Sequence, residues 1–351
     1  MNPGKKKHGC LTALLSLLAL IVCLTIALLA IRAVKMKKNG RTPEGGINES
    51  MYVDINGSRQ WINIYGQKKD NPVLLYLHGG PGSAVSVFGG AVTRKWSDVY
   101  TVVTWDQRDC GKSYSPDQSG TPITFDLMMQ DGKEMTEYLL DHLGIEKLTL
   151  LGHSWGSYFG AKLVQEYPEY YDCFIGVGQL VDWPENEKRF AEAAKGWVGS
   201  DPEGKKLLEQ LDTADHDAAK AALLSKYGYS DIDDKVDFNA LHAMLYNPYY
   251  SLSDWKTFFS NHDTVYQDFY TSDEFRHFSL LGNSKYEIPY YNVNGAKDYM
   301  VNFELAQEYF ETVEAPYKKL YLLEDTRHGL LRSKTEMFSE VLHKIAAEQQ
   351  Q

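Results

Sequence analysis

Six short runs of almost unbroken apolar residues limit what this chain can become: VLLYLH (73–78), YTVVTW (100–105), LTLLG (148–152), CFIGVG (173–178), IPYYNVN (288–294) and KLYLLE (319–324). A strand with one wet face alternates apolar and polar residues. Runs without that alternation belong to strands buried on both faces, as in a parallel sheet covered by helices. Apolar residues near helical spacing fill intervals at 124–143, 155–167, 303–313 and 334–346. Strand and helix therefore alternate, which predicts an α/β fold with a mostly parallel central sheet flanked by helices. Ahead of the first run, MYVDI and RQWINIY flank Asn56-Gly57-Ser58 and predict a hairpin. The rhythm breaks over 182–287, a mostly helical stretch with nine aromatics between Tyr246 and Tyr270. It reads as a helical cap inserted between two sheet strands. The expected body is thus a first core part at 51–181, the cap at 182–287 and a second core part at 288–351.

The first fifty residues are of another kind. LTALLSLLALIVCLTIALLAI, residues 11–31, holds no charge over 21 residues, close to the ~20 that cross the hydrocarbon core of a bilayer as a helix. Lys5 to Lys7 and Arg32 to Lys38 clamp its ends, which excludes a buried core helix. A cleaved signal peptide has a shorter apolar region, of ~7–15 residues, and a small-x-small site that ALLAIRAV lacks. Residues 1–34 are therefore expected to be a tail and a single-pass membrane anchor, and 35–50 a tether. The basic residues on both sides balance, and the short N-terminal tail favours an extracytoplasmic body. Asn48-Glu49-Ser50 and Asn56-Gly57-Ser58 are glycosylation sequons.

Eight of the 36 basic residues lie in the first 41 positions, where no acid occurs, leaving 28 against 47 acids in the remainder, a formal charge of −19. Such a body repels phosphate backbones and excludes nucleic acid as a partner. Of four cysteines, only Cys110 and Cys173 belong to the body. They form no metal pattern, no cofactor is implied, and a single bridge between them stays open.

Gly152-His153-Ser154-Trp155-Gly156 fits G-x-S-x-G between a buried strand and a helix, the context in which the motif exposes a nucleophile above a sheet. A serine hydroxyl needs a base to take its proton and an acid to orient the base. Asp298 follows the strand at 288–294 and His328 follows the last strand, in the chain order Ser, Asp, His and at the sheet edge where such folds place their sites. Asp182 is the alternative acid; Glu324 and Asp325 lie too close to His328 along one loop. The oxyanion that forms on attack needs donors: the N–H of Trp155, and one from HGGPG (78–82) through Gly80, or else Gly79. His153 and His78 are expected to orient and structure their loops. DQRDCGKS (106–113) ends like a phosphate-binding loop but has Asp106 where the first glycine should stand. Asp106 and Arg108 are expected instead to hold loops together.

HGGPG at 78–82, Asp106-Gln107-Arg108 with Cys110-Gly111-Lys112-Ser113, GHSWGS at 152–157, Asp298 and His328 together resemble the proline iminopeptidase branch of the α/β-hydrolases, over about 51–346. The resemblance implies a serine peptidase that removes an N-terminal residue, often proline, without metal or cofactor. It carries Ser154, Asp298 and His328 into the triad, and Gly80 and Trp155 into the oxyanion hole. Its exopeptidases hold the substrate's free amino group with cap carboxylates, for which Glu185 and Glu187 are candidates here. A peptide substrate is expected, and a small ester is the alternative: a carboxylesterase, lipase or lactone hydrolase would use the same triad, and the aromatic cap suits it.

Overall fold

The computed structural model describes residues 3–114, 121–233, 235–261 and 266–349, with side chains from residue 14 onward except 260 and 261. Its strands are β1 (Ile47–Ile55), β2 (Ser58–Gly66), β3 (Val73–Leu77), β4 (Thr101–Asp106), β5 (Leu148–His153), β6 (Tyr171–Val177), β7 (Tyr290–Gly295) and β8 (Lys318–Leu323). They form one sheet in the order β1-β2-β4-β3-β5-β6-β7-β8. The hairpin β1–β2 is antiparallel and meets β4 antiparallel; β4, β3 and β5 through β8 are parallel. The hairpin turns at Asn56 and Gly57, both with positive φ, 44° and 71°, the handedness that matches strand twist.

Helices follow in chain order: α1 (Pro3–Asn39), α2 (Phe125–Leu143), α3 (Trp155–Glu166), α4 (Trp183–Val198), α5 (Pro202–Gln210), α6 (His216–Lys226), α7 (Ala240–Leu245), α8 (Leu252–Asn261), α9 (Gln267–Thr271), α10 (Asp273–Arg276), α11 (Phe303–Thr312), α12 (Leu330–Ser333) and α13 (Thr335–Gln349). Because successive side chains of a strand point to opposite faces, Leu75 and Leu77 join Met135, Phe159 and Leu305 of α2, α3 and α11 in one core. Leu74 and Tyr76 join Trp96 and the α13 residues Phe338 and Leu342 in the other. All five residues of β3 are buried, which is why the apolar runs lack alternation.

Helices α4 to α10 fall within the stretch expected to be a cap. Residues of α4 and α6, among them Phe190, Val198 and Leu223, form a small core of their own. The aromatic segment docks on the sheet layer: Phe269, Phe275 and Phe278 surround Trp155 with ring centroids 5.1–5.5 Å away.

One expectation changes, and one open question closes. The tether expected over 35–50 shrinks to 40–46, because α1 runs on through its basic end to Asn39 and β1 begins at Ile47. That basic end is held by polar contacts: Arg32 Nε donates to the Leu245 carbonyl at 3.0 Å, Asn39 donates to the Tyr246 carbonyl at 3.0 Å, and Lys35 sits over the Tyr246 ring. Cys110 and Cys173 are both free and buried, on opposite faces of the sheet. Within α1, Leu14–Asn39 has a mean hydropathy of 3.0 in its most apolar stretch, is unburied there, and is long and apolar enough to cross a membrane.

Candidate active site

The strand order places the site. From β3 the chain steps to β4 on one side, then crosses to β5 on the other. The loops leaving the carboxyl ends of β3 and β5 thus meet at a switch point, where sheets of this kind open a crevice. HGGPG leaves β3 and Ser154 follows β5.

Ser154 has φ 55° and ψ −123°, in a region few residues with a side chain adopt. The strand-to-helix turn is tight enough that its glycines are dictated by space. A Cβ on Gly152 would stand 2.0 Å from the Gly156 carbonyl oxygen, and one on Gly156 would stand 2.3 Å from that of Leu77. The turn is held by the Ser154 N–H donating to Val177 O at 2.9 Å and the Ser157 hydroxyl donating to Ser154 O at 2.6 Å. Trp155 is the first residue of α3, so its N–H has no acceptor within the helix. Gly80, with φ +112°, lines the same cavity as Ser154; a Cβ there would meet Gly82 N at 2.7 Å.

Asp298 lies beyond β7 and His328 beyond β8, and the two are joined: His328 Nδ1 donates to Asp298 Oδ2 at 2.7 Å. The second carboxylate oxygen accepts from Val301 N at 2.9 Å, so the acid is fixed at both oxygens. With Nδ1 engaged, Nε2 is the imidazole nitrogen left for a proton from the cavity. Ser154 and His328 line one cavity of about 820 Å³. The Ser154 hydroxyl has no hydrogen-bond partner among the described residues. Burial works against the imidazolium of His328, but the charge and hydrogen bond of Asp298, aided by Asp231, outweigh it and hold the ring above the ordinary histidine value.

His153 packs beside His328, ring centroids 4.9 Å apart, and its Nε2–H donates to the His328 carbonyl at 3.1 Å. Burial and the neighbouring His328 push it down to about 3, so it stays neutral and positions the backbone of the other ring. His78 fastens the HGGPG loop: Nδ1–H donates to Gly79 O at 2.9 Å and Nε2 accepts from Gln107 N at 3.3 Å. Asp106 accepts from the Ser86 hydroxyl and from Lys112 N, and burial pushes it up to about 6. Arg108 grips Asp131 of α2 with two 2.8 Å bonds and donates to the hairpin carbonyls Ile55 O and Asn56 O. These residues join loops.

Other candidates sit elsewhere. Asp182 caps α4, accepting from Glu185 N at 2.7 Å. Asp325 pairs with Lys297. Glu185 is taken by Lys188 and Arg189, and Glu187 by Lys220 at 2.6 Å and His216 at 2.7 Å. Despite burial, those cations hold Glu187 down at about 2. Neither glutamate lines the cavity, whose carboxylates among the described residues are Asp109, Asp217 and Asp231. No spacing or residue type singles out those three in the sequence, since two are cap residues remote from any motif and Asp109 lies inside one.

The family described as the alpha/beta hydrolase fold matches residues 72–331. Among curated relatives, "Probable aminopeptidase YbaC" of Bacillus subtilis is 24% identical over 84% of this chain and 95% of its own length. A proline iminopeptidase of Lactobacillus helveticus is 31% identical over 32% of this chain and 36% of its own length. Among solved structures, proline iminopeptidase of Mycobacterium smegmatis superposes with a TM-score of 0.61 at 18% identity, over 86% of this chain and 98% of that one, a likeness of fold.

Proposed function

The chain belongs to the alpha/beta hydrolase fold family, and on that premise we propose that it is a membrane-anchored serine hydrolase, an aminopeptidase that releases an N-terminal residue through an acyl-enzyme on Ser154. The observation that carries the proposal is the meeting of three loops: Asp298 fixed to His328, and His328 sharing a cavity with the strained Ser154. In this mechanism His328 Nε2 takes the serine proton as the hydroxyl oxygen attacks the scissile carbonyl, and Asp298 stabilises the imidazolium that results. The N–H groups of Trp155 and Gly80 receive the oxyanion. The proton then passes to the leaving amine, and water repeats the sequence to free the acyl group. The mechanism requires the Ser154 hydroxyl and His328 Nε2 to come within hydrogen-bond reach when substrate binds.

Peptide rather than ester chemistry is favoured by the relative named an aminopeptidase, matched over nearly its whole length, and by the acidic cavity. The cap aromatics that suited an esterase or lipase are divided: Phe269 packs on Trp155, while Phe258, Tyr266 and Tyr270 line the cavity. An uncleaved α1 is favoured by the bonds that Arg32 and Asn39 make to the cap, and the body is assigned to the extracytoplasmic side. The test compares prolyl and alanyl anilides bearing a free amine with their N-blocked forms and with short acyl esters. Preferential turnover of the free-amine anilides is expected; indifference to the amine would transfer the protein to the esterases.

A further inference from the structure

Residues 238–253 carry no Asp, Glu, Lys or Arg, in a body that is otherwise strongly acidic. They form α7, the loop after it and the start of α8. Their large aliphatic side chains face outward: Leu241 is 75% exposed and Leu252 74%, and Leu245 and, further along α8, Phe259 are exposed as well. Residues four apart on a helix share a face, as do residues two full turns apart. Leu241 and Leu245 therefore lie on one face of α7, and Leu252 and Phe259 on one face of α8. Single apolar residues are ordinary on a protein surface, but two helices joined by a short loop, each turning an apolar face outward, form a patch that marks an interaction site.

What covers the patch follows from α1. Its uncharged run ends at Ile31, so Arg32 marks the level at which the helix leaves the hydrocarbon. Arg32 donates from Nε to Leu245 O at 3.0 Å and from Nη2 to Tyr250 O at 3.4 Å, one carbonyl at the end of α7 and the other just before α8. Only the reach of one side chain separates that loop from the bilayer boundary. One turn further out, Lys35 lies 4.1 Å from the centroid of the Tyr246 ring, a pairing of two residue types that settle at headgroup level. Lys35, Lys37 and Lys38 are exposed there and offer positive charge to lipid phosphates. Asp254, the first acid after the uncharged stretch, is turned to Lys112 at 2.9 Å. Resting on the membrane-anchor reading, we infer that α7 and the start of α8 dock on the bilayer from which α1 emerges, with the exposed leucines at the boundary between headgroups and acyl chains. Because α8 also lends Thr257 and Phe258 to the wall of the cavity, docking holds the catalytic cavity at the membrane surface.

The test measures depth in the membrane. The full chain, with Cys10→Ser and Cys23→Ser, is placed in nanodiscs of phosphatidylcholine with a minor share of phosphatidylglycerol. Nitroxide labels are attached singly through Leu241→Cys, Leu252→Cys, Ile26→Cys and Tyr317→Cys, and circular dichroism checks each fold. Tyr317 is exposed and directly precedes β8, at the edge of the sheet opposite β1, and serves as the control in water. Power saturation then compares contact with oxygen, which concentrates in lipid, and with a water-soluble nickel chelate. The labels at 241 and 252 should show an oxygen-to-nickel ratio several-fold above that at 317. A ratio equal to that at 317, with the label at 26 in lipid, overturns the docking and leaves the anchor intact. A label at 26 that is open to the nickel chelate removes the anchor, and the docking with it. Broadened spectra at 241 and 252 that sharpen on dilution with unlabelled chain would place a second copy on the patch and also overturn the proposal.

Discussion

At the scale of single residues, the account rests on what Asp298 does to His328. A base must be neutral to accept the serine proton, and Asp298 stabilises the charged imidazole, which raises the pH at which the ring loses its proton. The acid limb of kcat/KM should therefore have its midpoint above 6.5, the unperturbed histidine value, with activity lost as pH falls through it. Replacing Asp298 with Asn should lower that midpoint and, by freeing the wrong tautomer, reduce kcat by about 10⁴-fold. A pH–rate profile of both proteins checks both statements. An unchanged midpoint would show that Asp298 does not govern the base.

At the scale of elements, two joints hold the site. The first is the turn between β5 and α3, where a Cβ on Gly156 would meet the carbonyl oxygens of Leu77 and His78 at 2.3 and 2.7 Å. Gly156→Ala should push α3 from the sheet, destabilising the fold by about 1–3 kcal/mol, seen as a lower Tm, and impairing nucleophile reactivity. The second is Arg108, almost wholly buried against Asp131. Arg108→Met should cost about 3–5 kcal/mol by leaving that charge uncompensated, measurable by denaturant unfolding. The elements themselves were largely legible. The six apolar runs became β3 to β8 because burial on both faces erases alternation, and Asn56-Gly57 turned the hairpin. The triad candidates were legible because strand ends and residue types coincide with known chemistry. The cavity carboxylates Asp109, Asp217 and Asp231 were not, because nothing in the sequence shows which loop and cap residues line the cavity. Glu185 and Glu187 misled because position after a strand does not reveal that Arg189, Lys220 and His216 already hold them.

At the scale of the whole molecule, α1 is an apolar rod whose basic end lies against the cap. If it anchors the chain, the protein should stay with membranes in alkaline carbonate, be released by detergent, and keep residues 11–31 by mass. A soluble product starting after residue 31 would identify a signal sequence instead. The larger claim is that three positions separated by 144 and 30 residues come together at one sheet edge to make a hydroxyl nucleophilic. Labelling with a fluorophosphonate probe tests it most directly. The wild type should be modified at Ser154, with Ser154→Ala unlabelled and His328→Ala labelled at a greatly reduced rate. Labelling of Ser154→Ala at the wild-type rate would contradict the account.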